Sequence, residues 1–555
     1  SPITELYQHK PDTKVNIVLK DREDYSNGAA YFFDNKIDIW VPSLDTPLRG
    51  TKNWMRNVIT HEFVHIVQIQ AAMKRKRSVP VMYFQWLSYE KVRRPDVLYG
   101  FPNGLISLPF ASINVPAWLA EGTSQYQISG LDYDTWDSHR DMILRTRILS
   151  NTYFTLEEMG TFSSKTSIER ETVYSQGYAF TIYLAERFGD DVLRRISVGL
   201  AEKGVYTVEE AIEFATGIPG EEIFDNWIAE RTAFYEASTA GMDFTTSENV
   251  EPGGFFNFYP RVSPDGKSVA YLSNKGRDHS SLSLYIKEGG ESTEIANIGE
   301  MFEQRAFNHA DAIKPAIPFI STAYSFSPDG TKIVFAVNKK NELGEDYRDL
   351  FTYNLATKKQ KRLTNNARIE SPAWSPDGLK IAAIQYSSGT QNLIFIDLEN
   401  SQNIIKITDF NDAETMFTPV WLPDGSGVYF AYADFHGRNI RRYDLETGKI
   451  TDVLANNSTD YRDPFLSEDG MWLYYSSNPD GIFNIYRQPV SGGETEKITQ
   501  VLGGAFMPYE SESKLYFSEY EKDGYKIKML DLNAPANLAE ASYTGAKIQK
   551  GTDDI

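Results

Sequence analysis

The stretch SPDGLKIAAIQY, residues 375–386, pairs a tight turn with a β-strand. Ser375-Pro376-Asp377-Gly378 has turn composition, because proline presets one φ angle and glycine tolerates a positive one. The residues after the turn, KIAAIQY, have a strand pattern, and a second apolar strand, NLIFIDL, follows at 392–398. The stretch therefore predicts an antiparallel β-unit built around the turn.

The same turn recurs along the C-terminal half of the chain. The turns are Ser263-Pro264-Asp265-Gly266, Ser327-Pro328-Asp329-Gly330, Ser375-Pro376-Asp377-Gly378, Leu422-Pro423-Asp424-Gly425 and Ser467-Glu468-Asp469-Gly470. Their aspartates are 64, 48, 47 and 45 residues apart, and the long spacing holds an insertion around 299–320. A sixth unit has a degenerate turn at 510–513. Four strands in each repeat of about 45 residues predict an all-β six-bladed propeller over 257–532.

Changes in composition divide the rest of the chain into segments. The polar, Gly/Pro-bearing stretch 244–256 predicts a linker, and 533–555 is expected to be a C-terminal tail. Residues 1–243 precede the linker and form a separate predicted domain, since 555 residues exceed a single core. Within it, 14–41 predicts strands, including a hairpin that turns at 34–36.

Helical periodicity dominates from about 52 to 238. The predicted helices are one around 54–67, one starting near Pro116, and 136–149, 173–188, 191–202, 207–214 and 221–237. Gly189 fits a helix C-cap. The run 97–120 has no charged residue, but proline and glycine break it repeatedly, so we expect a buried or cleft-lining loop and not a membrane span.

His61-Glu62-Phe63-Val64-His65 lies in the first of these helices and reads H-E-x-x-H. Residues four apart share a helix face, so His61 and His65 can bind one Zn²⁺ ion together. Glu62 can deprotonate a water molecule activated by that ion. The motif predicts a zinc-dependent hydrolase.

Composition limits the remaining possibilities. The net charge of −20 argues against nucleic acid as a partner. The chain has no cysteine, so any metal site must use histidine and carboxylate ligands. The chain starts at Ser1 and not at a methionine, and we expect an extracytoplasmic protein whose signal peptide has been removed.

A catalytic zinc needs a third protein ligand. No third histidine follows His65 at short spacing, which leaves a carboxylate. Glu121 is the first candidate, because it follows the uncharged run and precedes Gly122, a residue that allows close backbone packing. Glu90 is a weaker competitor.

These motifs resemble those of the gluzincin metallopeptidases. HEFVH at 61–65 and PAWLAEGTSQY at 116–126 look most like the branch that contains the M1 aminopeptidases and the peptidase MA-like domains. The resemblance implies an α+β zincin-type domain in which Glu121 is the third zinc ligand. It also implies that Tyr174, in Tyr174-Ser175-Gln176-Gly177, stabilises the oxyanion, with Tyr178 as the alternate.

One departure from the M1 pattern bears on specificity. The G-x-M-E-N stretch that anchors a free substrate amino terminus is absent upstream of His61. We therefore expect an endopeptidase, with an aminopeptidase as an alternative. The strand near 37–41 is a candidate for pairing with an extended substrate.

The second half of the chain resembles the propeller of TolB and its PD40/WD40-like relatives, on the strength of its S-P-D-G turns. The fold expected for the whole chain is therefore multidomain, with the metallopeptidase domain first and the propeller second. We expect the propeller to bind the protein substrate or a protein partner. A rival hypothesis is a propeller-based binding protein whose protease-like domain is inactive.

Overall fold

The computed structural model describes residues 1–75, 83–88, 104–109, 115–276, 282–296, 322–399, 403–434 and 437–533, together with Tyr543. The chain forms two compact units. The first contains Ser1–Asp21 and Tyr25–Ala240, and the second contains Arg22–Asp24 and the described residues from 241 onward. Across the described ranges, no helix combines the length and the apolar character that crossing a membrane requires.

The first unit is mainly helical. Its helices are α1 (Pro2–Leu6), α2 (Trp54–Ala71), α3 (Ala117–Tyr126), α4 (Ser138–Leu149), α5 (Ser167–Phe188), α6 (Asp191–Ala201), α7 (Val208–Thr216) and α8 (Gly220–Thr239), with a 3₁₀ turn at Glu158–Gly160. The predicted helices are confirmed, and Gly189 follows α5 as its C-cap. The main difference is at α5, which begins six residues before the predicted position 173. A capping box between Thr166 and Glu169 satisfies its first N–H groups and extends it.

Three strands form a small sheet against α2. They are β1 (Asn16–Lys20), β2 (Asn27–Tyr31) and β3 (Lys36–Trp40), in the order β1-β3-β2. The predicted hairpin is confirmed as the antiparallel pair of β2 and β3. Ile37 and Ile39 of β3 pack with Val58 and Ile66 of α2 in one apolar cluster. The sheet therefore holds α2 through its alternate side chains.

The proposed substrate-pairing role of the strand near 37–41 is wrong. β3 pairs with β1 on one side and with β2 on the other, so its backbone hydrogen-bonding groups are already used. Among the described residues, β2 pairs with β3 alone. The edge strands of this sheet are therefore β1 and β2.

Only part of the uncharged run 97–120 lies within the described residues. Its segment β5 (Gly104–Pro109) pairs antiparallel with β4 (Tyr83–Ser88), in place of the loop expected there. The run also contains the start of α3, where Pro116 occupies the N-cap position. Glu90, the insertion around 299–320 and nearly all of the tail 533–555 lie outside the described residues.

The second unit contains six four-stranded antiparallel sheets in the part of the chain that the structure describes. The sheets comprise β7 (Asn257–Val262), β8 (Ser268–Ser273), β9 (Ser283–Glu288) and β10 (Glu291–Ala296); β11 (Ser325–Phe326), β12 (Lys332–Lys340), β13 (Asp346–Asn354) and β14 (Gln360–Arg362); β15 (Ile369–Trp374), β16 (Lys380–Ser387), β17 (Thr390–Asp397) and β18 (Ile404–Lys406); β19 (Thr415–Trp421), β20 (Gly427–Asp434), β21 (Gly437–Asp444) and β22 (Ile450–Leu454); β23 (Tyr461–Leu466), β24 (Trp472–Ser477), β25 (Asn484–Pro489) and β26 (Glu496–Lys497); and β27 (Gly504–Ser511), β28 (Lys514–Glu521), β29 (Gly524–Asp531) and β6 (Glu248–Glu251). Each sheet is one blade of the propeller.

The stretch predicted to be a linker, 244–256, contains strand β6. This strand pairs with β29 and so supplies the outermost strand of the last blade from the start of the propeller sequence. The first and last blades also bond directly, since the Asn257 amide donates to the Tyr525 carbonyl at 2.7 Å. Closure of this kind leaves fewer free sheet edges. The sequence did not predict strand β6, because its polar residues have the composition of a linker.

The Ser-Pro-Asp-Gly turns join the first two strands of their blades. In the turn at 375–378, the Ser375 hydroxyl donates to the Asp377 carboxylate at 2.6 Å, and Gly378 has a φ of 73°. The degenerate turn predicted at 510–513 is also present, with β27 and β28 paired up to Ser511 and Lys514. Glu512 and Ser513 have positive φ angles there without the help of glycine.

Candidate metal centre

Helix α2 places two histidines side by side. The Asn53 side chain caps the helix by accepting from the Arg56 N–H at 3.1 Å. His61 and His65, one turn apart, have their Nε2 atoms 3.2 Å from each other. Both imidazoles line one cavity, and their side chains are similarly exposed, 12% for His61 and 11% for His65.

Glu121 reaches the same point from α3. Its Oε2 lies 3.1 Å from His61 Nε2 and 3.4 Å from His65 Nε2. Glu62 is also near, since His61, Glu62 and His65 each offer an atom within 4.8 Å of the others. The sequence candidates His61, His65, Glu121 and Glu62 therefore meet in one place.

The geometry of the three donor atoms suits a tetrahedral ion. Their separations are 3.1, 3.2 and 3.4 Å. A tetrahedron with metal–ligand bonds of about 2.0–2.1 Å has edges of about 3.3 Å. Two imidazoles and one carboxylate are a donor set that zinc takes in hydrolytic enzymes, with a fourth position left for water. The residues present therefore fit one Zn²⁺ ion.

The electrostatics of the donors favour a charged carboxylate. Burial opposes the charge on Glu121, but the imidazoles of His65 and His61 outweigh it and hold the pKa of Glu121 well below its usual range. Burial alone would lower the pKa of His65, yet the adjacent Glu121 carboxylate raises it. The three side chains thus stabilise one another at a buried point.

Ser124 orients His65, and sequence reasoning did not find it. Its fully buried hydroxyl lies 3.0 Å from His65 Nδ1. A metal ion bound at Nε2 would leave the proton on Nδ1, which would then donate to Ser124 and fix the orientation of the ring. The available signal was its position, three residues after Glu121 on the same helix face.

A close crossing of α3 and α5 sets the position of Glu121. A Cβ atom added to Gly122 would lie 2.4 Å from Thr181 Oγ1 and 2.7 Å from the Gly177 carbonyl oxygen. One added to Gly177 would lie 2.8 Å from the Trp118 carbonyl oxygen. The two glycines therefore let the helix backbones touch, as expected for Gly122 from the sequence.

The donor cluster opens into a cavity of about 660 Å³. Its wall includes His61, Glu62 and Glu121, together with Gly28 of the edge strand β2. A Cβ atom at Gly28 would lie 2.4 Å from Glu62 Oε1, so the strand backbone runs directly against this carboxylate. Strand β2 and the donor cluster therefore form adjoining parts of the cavity wall.

Tyr174 lies on the cavity wall and is held in place by its neighbours. Its ring stacks on Phe162 with centroids 5.3 Å apart, and the Arg49 guanidinium lies 4.4 Å from its centroid. Arg49 is itself fixed by two hydrogen bonds of 2.8 Å to Glu171. Burial first, and then the charge of Glu121, raises the pKa of Tyr174 far above its usual value, so the phenol keeps its proton and can donate it in a hydrogen bond.

Tyr178, the alternate, is placed differently. It is buried beside Trp136, with ring centroids 5.8 Å apart, and near the Arg140 guanidinium. It is not among the residues that line the cavity. Of the two tyrosines, Tyr174 is therefore the one that lines the cavity.

Comparisons with known proteins place the family match within the propeller. The family model for the TolB beta propeller domain (PD40) matches residues 366–542. A Tol-Pal system protein TolB from Francisella tularensis is 28% identical over 446 residues, which cover 78% of this chain and 91% of that protein. A dipeptidyl-peptidase 5 from Porphyromonas gingivalis is 28% identical over 188 residues, which cover 32% of this chain. The match spans only 27% of the length of that peptidase.

Solved structures with similar architecture share little sequence with this chain. A putative TolB from Agrobacterium tumefaciens is 17% identical, covers 44% of this chain and 80% of its own, and has a TM-score of 0.34. The β-propeller domain of the trilobed protease from Pyrococcus furiosus is 16% identical, covers 52% and 82%, and has a TM-score of 0.32. The repeated Pro-Asp-Gly turns, the six observed blades and the family match agree: the C-terminal unit is a TolB-like PD40 β-propeller.

Proposed function

We propose that the first unit is a zinc-dependent peptidase. The observation that carries the proposal is the triangle of His61 Nε2, His65 Nε2 and Glu121 Oε2, with sides of 3.1–3.4 Å. A zinc ion bound there would supply an acidified water and polarise the scissile carbonyl. The remaining chemistry is assigned to residues of this chain.

Glu62 and Tyr174 have separate roles in this proposal. Glu62, which is 6% exposed and borders the cavity, accepts the proton from the attacking water and delivers it to the leaving amine. Tyr174 donates its phenolic hydrogen bond to the oxyanion that develops on the scissile carbonyl. Arg49 and Phe162 hold the Tyr174 ring, so this donor is oriented before the substrate arrives.

The edge strand β2 supports cleavage within a chain. Gly28, Ala29 and Ala30 line the cavity, and in the described part of the chain β2 pairs only with β3. An extended substrate can therefore continue along β2 on both sides of the donor cluster, by β-strand addition. We propose an endopeptidase on this basis, with an aminopeptidase as the alternative.

The proposal predicts that Glu62→Gln keeps the metal and loses the reaction. The wild-type chain should contain close to one zinc per molecule and cleave an unstructured protein such as casein. Glu62→Gln should contain the same zinc and cleave at least about 1,000-fold more slowly, because the base is gone while all three ligands remain. Metal analysis and a digest followed by mass spectrometry measure both quantities.

Two further measurements complete this test. Glu186→Gln, an exposed substitution on α5, is the matched control and should cleave like the wild type. Comparing an amino-terminally blocked peptide with its free form separates an endopeptidase from an aminopeptidase. A zinc-loaded wild type that cleaves nothing, or a Glu62→Gln variant that cleaves normally, would refute the proposal.

The second candidate is a protein-binding protein whose propeller is the working part. The likeness of the C-terminal unit to the propeller of the Tol-Pal system protein TolB favours it, and the comparisons support this candidate better than the first. It predicts a chain without stoichiometric zinc that stays inert after zinc is added. In either case we propose that the propeller binds a protein, and that the chain acts outside the cytoplasm, as its likeness to a Tol-Pal system component suggests.

A further inference from the structure

Helix α5 presents four side chains to the cavity beside the donor cluster. Ser167, Arg170, Glu171 and Tyr174 all line it, at the i, i+3, i+4 and i+7 spacing of one helix face. Tyr174 is the proposed oxyanion donor and Glu171 binds Arg49. The proposed mechanism uses neither Arg170 nor Ser167.

The other cations that line this cavity are paired with carboxylates. Arg49 binds Glu171, Lys52 lies 3.5 Å from Asp137, and Arg140 donates to Asp134 and Asp137 at 2.9 Å. These ion pairs compensate their charges within the protein.

Arg170 differs from these cations. Within the described residues its guanidinium makes no ion pair or hydrogen bond; its buried Nε lacks a partner, as does that of Arg140, but the other two guanidinium nitrogens of Arg140 are bound. The carboxylates next to it in sequence are already engaged: Glu169 accepts from the Thr166 N–H at 2.7 Å, and Glu171 binds Arg49. A guanidinium that lines a cavity without a carboxylate partner keeps its charge available to a ligand.

We propose that Arg170 binds a carboxylate of the peptide substrate next to the cleavage site. A planar guanidinium binds a carboxylate through two parallel hydrogen bonds, which makes carboxylate the favoured ligand class. Arg170 and Tyr174 are one turn apart, about 6 Å along the helix, and an extended peptide rises about 3.3 Å per residue. The carboxylate therefore lies about two residues from the scissile bond.

This inference rests on the proposed peptidase function and names the substrate class for the same cavity. A carboxylate at that distance has two sources, an Asp or Glu side chain within the substrate or the free C-terminus of a short peptide. The first source makes the enzyme selective for acidic sequences. The second makes it remove short fragments from a C-terminus.

The test uses alanine-rich hexapeptides that carry one glutamate or one glutamine, each made with a free C-terminus and with a C-terminal amide. On the wild type, kcat/KM should be about 10- to 100-fold higher for peptides with the carboxylate at the favoured position. Arg170→Gln should remove this preference while it leaves cleavage of the uncharged peptides in place. Arg170→Lys should restore part of it, because a lysine keeps the charge but not the planar fork.

Controls separate this inference from the proposed function. Arg187→Gln, which removes an exposed arginine on the same helix paired with Glu230, should keep the full preference. Binding of the same peptides to the Glu62→Gln chain, measured by calorimetry, gives a readout without cleavage. Carboxylate-dependent binding that Arg170→Gln abolishes, in a chain that cleaves nothing, would support the carboxylate site and refute the peptidase. Cleavage without any carboxylate preference, or equal peptide binding with and without Arg170, would overturn the site.

Discussion

His65 is held at both nitrogens of its ring. Nε2 faces Glu121 and His61, and Nδ1 faces the buried Ser124 hydroxyl at 3.0 Å. A histidine bonded on both sides has one tautomer and one orientation, which suits a metal ligand more than an ordinary core residue. Tyr174 is also held by a neighbour, since the Arg49 guanidinium lies 4.4 Å from the centroid of its ring. At the residue scale, the candidate centre is therefore rigid through neighbours that the H-E-x-x-H motif does not contain.

Glu519 of the propeller gives the clearest pH dependence at this scale. Burial raises its pKa to about 7, with Glu521 adding to the shift and Lys528 opposing it. Between pH 4.5 and 7 the folded state therefore binds more protons than the unfolded state. The contribution of Glu519 to the free energy of unfolding is complete below pH 4.5, and it is lost as the pH rises through about 7.

Glu519→Gln removes that titration. We expect urea unfolding at pH 5 and pH 8 to show that, relative to the wild type, the free energy of unfolding of the variant is higher at pH 8 than at pH 5 by on the order of 2–3 kcal/mol. Glu446→Gln, an exposed substitution in the same unit, should show no such gain. Equal pH dependence in the wild type and Glu519→Gln would contradict the assignment.

At the scale of elements, the crossing of α3 and α5 decides whether the candidate centre exists. The backbones meet at Gly122 and Gly177, and this contact directs the neighbouring Glu121 toward α2. Two helices that approach so closely have no room for a methyl group at either position.

Gly122→Ala should therefore separate the two helices. The overpacking should cost about 1–3 kcal/mol in urea unfolding, although alanine is the better helix former. Zinc affinity should fall as well, because Glu121 moves with the helix. Gly160→Ala is the matched control, since an added Cβ there meets only Pro116 at 3.9 Å. A Gly122→Ala variant as stable as that control would show that the helices can separate without cost.

At the scale of the whole molecule, β6 determines whether the propeller ring is closed. Glu251 at its end accepts from the Tyr271 hydroxyl and the Lys275 ammonium, both at 2.6 Å, and from the Gly253 N–H at 2.9 Å. The side chain is 9% exposed, so these bonds are shielded from water. Together they fasten the outermost strand of the last blade to the first blade.

Glu251→Ala should loosen that closure. Loss of three hydrogen bonds should cost roughly 1–3 kcal/mol, because the Tyr271 hydroxyl can still donate to Ser292 and Lys275 can still donate to Tyr271. Hydrogen exchange measured by mass spectrometry should then speed up in β29, the partner of β6. Glu248→Ala, an exposed change on the same strand, should leave β29 protected. Unchanged exchange in Glu251→Ala would mean that strand pairing alone closes the ring.

Local patterns predicted much of the fold. The turns at 263–266, 327–330, 375–378, 422–425 and 467–470 all fall between the first two strands of a blade, as expected. Helix positions followed from apolar periodicity. The predicted α5 began too late, because the capping box of Thr166 and Glu169 that starts the helix lies outside the apolar pattern. The parallel pairing of β3 with β1 and the strand identity of β6 could not be predicted, because these pairing partners are not neighbours along the chain.

By itself, the sequence determined which donors share a helix face and where the propeller turns lie. His61 and His65 meet because an α-helix repeats every 3.6 residues. The Pro-Asp-Gly segments form turns because of the φ preferences of proline and glycine. Both are local properties of a short segment. Only the tertiary structure decided that Glu121 reaches His61, that Ser124 fixes His65, that Arg170 lines the cavity unpaired and that β6 closes the ring. Those results depend on how closely separate elements pack, and packing distance is set by residues remote along the chain.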